Sequence, residues 1–159
     1  LINTILIKKQ SKMPIVKRVK SSNVLETLQQ NGSIKLLALN LNCVKSQEAH
    51  QELFTQFPEL KYIDDNFELP ALYRLGDYSV ATTESGLAFL LFYTQLDKTG
   101  EMEISALKSC LKKLSGEAIN SGNYISFAMI KPSDAKTWDI VQKLLSFQEY
   151  LLITIIEND

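Results

Sequence analysis

A chain with one histidine has few ways to move a proton at neutral pH or to hold a transition metal, and His50 is the one histidine here. It falls in the first turns of the helix expected after Cys43, alone on a helix face, where an imidazole ordinarily packs or meets solvent. A nucleophile–base pair built on histidine would have to run through it. Cys43 and Cys110 lie far apart and lack Cys-x-x-Cys spacing, so they read as reduced, small apolar residues. Asp64, Asp65 and Glu68 bring carboxylates together as a hard-cation site would, but no histidine is near and the segment reads as a solvated loop. No Walker-type glycine loop is present, nor a Gly-x-Gly-x-x-Gly after a strand. There is no Gly-x-Ser-x-Gly elbow, and Ser126 lies inside an expected strand. Neither a metal site nor a cofactor is expected.

The elements that position polar residues are easier to read. The stretch Ile34–Leu60 opens on the apolar run Leu36-Leu37-Ala38-Leu39, passes through Asn40-Leu41-Asn42-Cys43, and continues into a helical spacing of Ala49, Leu53, Phe54 and Phe57 before Pro58. A strand, a polar switch and a helix form a βα unit, and ligands of open α/β sheets tend to bind at the carboxyl end of such strands. Upstream, Ile15, Val16 and Val19 alternate with Lys17 and Arg18 as a strand, and Val24, Leu25 and Leu28 give a short helix ending near Asn31-Gly32. Downstream, Lys61–Leu72 reads as a loop with one helical turn. Tyr78–Thr82 and the apolar run Leu87–Gln95 read as strands, and Ile104–Ile119 as a helix whose stripe is Ile104, Leu107, Leu111 and Leu114, with Lys108, Lys112 and Lys113 outside it. Tyr124–Ile130 and Tyr150–Ile156 are strands flanking a helix at Trp138–Leu145, with Lys131–Thr137 a polar loop. Counting a first strand at Leu1–Ile7, the order β-β-α-β-α-β-β-α-β-α-β predicts an α/β fold, a mixed sheet of roughly five to seven strands with helices on both faces.

Composition sets the frame for partners. The chain has 159 residues, 45% apolar and 22% charged, enough for one domain with a sizeable core and no disulfides. A net charge of −1 supplies no field for nucleic acid or an anionic membrane, and neither is an expected partner. Lys8, Lys9, Lys12, Lys17, Arg18 and Lys20 crowd one end and read as a solvated edge. No run is long enough to span a membrane, Leu1–Ile7 is too short for a signal peptide, and reduced cysteines suit a cytoplasmic protein. Residues 1–12 read as an extension or extra strand, and 13–159 as the domain.

Three segments together resemble the macro domain, the α/β fold that binds ADP-ribose. They are Leu37-Ala38-Leu39-Asn40-Leu41-Asn42-Cys43 with the helix ending Gln56-Phe57-Pro58-Glu59; Leu75-Gly76-Asp77-Tyr78-Ser79-Val80-Ala81 leading to Phe92-Tyr93-Thr94-Gln95; and the helix Ile104–Leu114, the strand to Ile130 and Trp138-Asp139-Ile140-Val141. The likeness is to the compact branch found in phages, bacteria and some eukaryotes and runs from Met13 to Ile156, carried by the order and spacing of motifs. It implies a three-layer α/β/α domain. It also implies that Asn23 faces adenine, that Asn42 meets the distal ribose and that Lys45 and Lys131 supply charge where backbone amides no longer reach, with Val24, Ser46 and Ser133 as further ligand-binding candidates.

The departures fall where ligand would sit. The family's glycine-rich loop after Asn-Cys is replaced by Val44-Lys45-Ser46-Gln47-Glu48, and its second phosphate loop by Lys131–Thr137, neither with glycine. Glycine serves such loops because it permits φ > 0 and lets an anion approach the backbone. Pro132 also removes an amide donor. Leu39 stands at the histidine of phosphatase-type members, and Gln95 at the lysine of some glycohydrolases, where it cannot form a Schiff base. Asp134 matches the aspartate of those glycohydrolases, or caps the following helix. The resemblance therefore implies a module for ADP-ribose or a related nucleotide with weakened or lost catalysis. A fold retained as a protein-interaction or structural module is the alternative, and a hydrolase of the ADP-ribosyl or ADP-ribose-phosphate type with Asp134 as base is a further one.

Overall fold

The computed structural model describes residues 14–44, 47–97 and 100–158. Strand β1 (Ile15–Ser21) leads to α1 (Val24–Gln30) and β2 (Leu36–Asn42). After a 3₁₀ turn at Glu48–His50 come α2 (Gln51–Gln56), α3 (Pro58–Asp65) and the short α4 (Ala71–Arg74). The hairpin β3 (Tyr78–Thr82) and β4 (Ala88–Gln95), then α5 (Ile104–Ser121), β5 (Ile125–Ile130), α6 (Ala135–Ser146) and β6 (Leu151–Asn158) complete it. The expected strand at Leu1–Ile7 lies outside the described residues.

The six strands among the described residues form one sheet in the order β1-β6-β5-β2-β4-β3. All neighbours are parallel except β3, which pairs antiparallel with β4. Strand periodicity explains why helices cover both faces. In β2, Leu37, Leu39 and Leu41 belong to one buried cluster with Leu28, Leu53 and Leu60 of α1, α2 and α3. Ala38 belongs to the other, with Leu107, Leu111, Leu114, Trp138, Val141 and Leu145 of α5 and α6. The result is a three-layer α/β/α domain, and the stripe read on α5 is its inner face, with Lys108, Lys112 and Lys113 exposed.

The loop reading of Lys61–Leu72 is corrected. Pro58 ends α2 only in the sense that it opens α3: proline at the first helical position needs no amide partner, and its φ suits a helix. Leu60 and Asp64, one turn apart, are buried. Nearby, Gly76 holds φ +85°, and a β-carbon there would stand 3.2 Å from the Ser109 side chain on α5. Gly76→Ala is expected to cost about 1–3 kcal/mol in a urea unfolding curve; a change below about 0.5 kcal/mol, the scale of a neutral surface substitution, would contradict this geometry.

Candidate functional site

Where β2, β4 and β5 end, the sheet opens into a crevice of about 200 Å³ whose polar lining is Asn40, Asn42, Gln47, Glu48, His50, Gln95 and Lys131. Pockets for drug-sized ligands run to about 300–1,000 Å³, so this one is narrow. Register makes it polar. A bulge after Leu41 lets Asn42 pair with Gln95, and the Cys43 amide donates to the Gln95 carbonyl at 2.9 Å. Leu39 and Ile130 supply apolar wall.

Gln47 bridges the strand end. Its Oε1 accepts from the Asn42 amide at 3.1 Å and its Nε2 donates to the Asn42 carbonyl at 3.0 Å, as a neighbouring strand would. The Asn42 side-chain oxygen accepts from the Val44 amide at 3.0 Å. Gln47 Nε2 also lies 3.3 Å from Oδ2 of Asp64.

Asp64 therefore belongs to a buried network, which corrects its reading as a solvated loop acid. Tyr93 donates its hydroxyl to Oδ1 at 2.7 Å, and the Arg74 guanidinium stands 3.6 Å from the same oxygen with both side chains almost fully buried. Arg74 also donates to the carbonyls of Phe67 at 2.7 Å and Leu69 at 2.8 Å. Burial, and then the Asp64 charge, push the Tyr93 phenol far up, so it stays a donor. Among the described residues no group of three or more His, Cys, Asp or Glu side chains is placed to hold a metal ion. Both cysteines are free and buried, and burial lifts both thiols, Cys110 to about 12.

His50, set aside in the sequence, lines the crevice. Its Nε2 lies 3.0 Å from the Asn40 carbonyl, which can only accept, so the proton sits on Nε2. Asn40 is held in turn by the Thr94 hydroxyl at 3.1 Å. Burial lowers the His50 pKa below 6.5 and the bond to Asn40 offsets part of this. A signal did exist: the lone histidine follows a strand-end polar switch within one loop. Because the folded imidazole resists protonation and the unfolded one does not, the stability it contributes is lost as pH falls through 6.5. The melting temperature is expected to fall between about pH 7.5 and 5.5, and less so in His50→Gln; equal falls in both proteins would assign the effect elsewhere.

Lys131 donates its amide to the Ile156 carbonyl at 2.8 Å, and its ammonium stands 5.5 Å from the centre of the Trp138 ring. Arg18 stands 5.6 Å from the same ring. Glu157 pairs with Arg18 at 3.1 Å and Lys20 at 2.9 Å, and hydrogen bonds from Lys20 and then Arg18 hold its carboxyl below the usual range.

Of the residues singled out in the sequence, the fold brings Asn42 and Lys131 into the crevice lining. Asn23 caps α1, its side-chain oxygen accepting from the Glu26 amide at 3.1 Å; Val24 opens the same helix and packs against the core. Ser133 is exposed, and it and Asn23 lie outside the crevice lining. Asp134 caps α6, one oxygen accepting from the Thr137 amide at 2.9 Å and hydroxyl at 2.7 Å, which holds its pKa low. Lys45 and Ser46 lie outside the described residues.

No family model and no curated protein sequence matches the chain. Solved structures do. The macrodomain of Mycobacterium tuberculosis DarG superposes with a TM-score of 0.62 at 17% identity, over 87% of this chain and 96% of that one. A macrodomain protein from Streptomyces coelicolor gives 0.63 at 14%, over 88% and 97%. Thermosipho africanus DarTG in complex with ADP-ribose gives 0.61 at 19%, over 78% of this chain and 38% of that longer one. At these identities the likeness is one of fold, and the chain has the macrodomain fold.

Proposed function

We propose that this macrodomain fold binds ADP-ribose or a related nucleotide in the crevice at the carboxyl ends of β2, β4 and β5, and that catalysis has been lost. The observation that carries the reading is the crevice itself, at the strand ends where open α/β sheets take ligands, with Asn42 and Lys131 in its lining. The DarTG structure in complex with ADP-ribose supports the ligand class at the level of fold.

The groups present support a loss of catalysis. Leu39 offers no proton, Gln95 no amine, and Asp134 is a capping carboxylate with a lowered pKa and no place in the crevice lining. His50 is the one crevice imidazole among the described residues, and its Nε2 proton is directed at the Asn40 carbonyl. A second reading, a protein-interaction or structural module that no longer takes the nucleotide, is favoured by the Gln47 bridge and the small crevice volume.

A thermal shift with ADP-ribose separates the two. A ligand that binds only the folded state adds about 2.7 kcal/mol at a hundredfold excess over its dissociation constant. A flat response at millimolar ADP-ribose would leave the interaction module as the reading. If binding occurs, Asn42→Ala should weaken it, and unchanged affinity would place the ligand elsewhere.

A further inference from the structure

Beside the crevice lies a second hollow of about 610 Å³, wider and open to solvent, lined by Gln51, Thr55, Lys61, Asp64 and Asp65. Gln47 and Glu48 line both. Glu48 is exposed, whereas Gln47 is half-buried and fixed at both ends of its amide, by the Asn42 backbone and by Asp64. Asp64 is itself fixed by Tyr93 and Arg74. Gln47 is therefore the braced inner part of the wall, with Glu48 on its exposed side.

The two hollows differ in charge. The crevice sets Lys131 against Glu48, while the outer hollow adds Asp64 and Asp65 to Glu48 against Lys61, which already pairs with Asp65. A phosphate would be repelled there, since like charges at close range in a partly desolvated site oppose one another strongly. Sugar hydroxyls suit it: Gln51 and Thr55 can both donate and accept, and the exposed Asp65 carboxylate accepts.

Resting on the proposed nucleotide binding, we propose that Gln47 sets the length of ligand the site takes: with its side chain in place the crevice holds the phosphate-bearing part alone, and a shorter residue joins the hollows so that a terminal sugar enters the outer one. The fixed amide acts as a conformational tax on the longer ligand, whose apparent affinity falls by the fraction of molecules in which the wall is displaced.

The test compares ADP-ribose with ADP, which differ by the terminal ribose, on the full chain by calorimetry. Wild type is expected to bind both within about twofold. Gln47→Asn and Gln47→Ser are expected to raise the ratio of ADP-ribose to ADP affinity at least about tenfold over wild type. Gln47→Met, of similar length but without the hydrogen bonds that hold the wall, should fall between wild type and the short variants. Thermal melts confirm that each variant is folded, and the serine variant serves if the asparagine variant is not. Folded short variants that bind nucleotide with an ADP-ribose to ADP affinity ratio no higher than wild type overturn the inference while leaving nucleotide binding intact. Absence of any binding by all four proteins overturns both.

Discussion

Replacing Asp64 with alanine is expected to destabilise the fold by about 3–5 kcal/mol, because it leaves the Arg74 charge buried without its partner. Arg74 is 2% exposed and cannot turn to solvent without withdrawing from the carbonyls of Phe67 and Leu69. Tyr93, fully buried, loses the acceptor for its hydroxyl at the same time. For a domain of this length the change corresponds to a fall in melting temperature on the order of 10 °C. Asp64→Asn keeps oxygen and shape and should lose less. The double variant Asp64→Leu with Arg74→Met, which removes both charges for apolar groups, should recover much of the loss, since buried pairs are often matched by well-packed hydrophobic residues. A single alanine variant within 1 kcal/mol of wild type would show that the pair is not buried as described, because surface pairs contribute about 0–1 kcal/mol.

Trp138→Ala should cost a similar amount, about 3–5 kcal/mol, for a different reason. Trp138 is packed in the cluster of α5, α6, β5 and β6, 8% exposed, and truncation leaves a cavity that the surrounding strands cannot collapse to fill. Lys131 and Arg18 also lose the ring over which both cations stand. Because this is the single tryptophan, unfolding must be followed by far-ultraviolet circular dichroism. Trp138→Phe keeps a ring and most of the volume and should fall between. An alanine variant with unchanged urea midpoint and slope would contradict the packing.

Both predictions turn on residues that the sequence treats unequally. Trp138 was legible because α6 carries an apolar stripe at helical spacing, Trp138, Val141 and Leu145, each buried. The same periodicity made α5 and the run of β4 plain, and strand ends followed from polar residues closing apolar runs, as at Asn40–Asn42 and Lys131. Asp64 was not legible. Its partners lie ten residues away at Arg74, seventeen at Gln47 and twenty-nine at Tyr93, and nothing local marks a carboxylate as buried. Proline compounded the error: at Pro58 a residue that ends one helix begins the next, and the two cases look alike without the three-dimensional turn. Absence of glycine in the two loops was visible at once, but its consequence was not. Gln47 completing the end of β2 with its own side-chain amide is a tertiary fact, as is the inward turn of His50 onto the Asn40 carbonyl.

Nucleotide binding in the crevice is tested most directly by titrating ADP-ribose into isotopically labelled protein and following backbone amide resonances. Binding there predicts saturable shifts concentrated on Asn40–Asn42, Gln47–His50, Gln95 and Lys131, the residues around the strand ends. Unshifted spectra at millimolar ADP-ribose, or saturable shifts confined to residues outside that set, would contradict it.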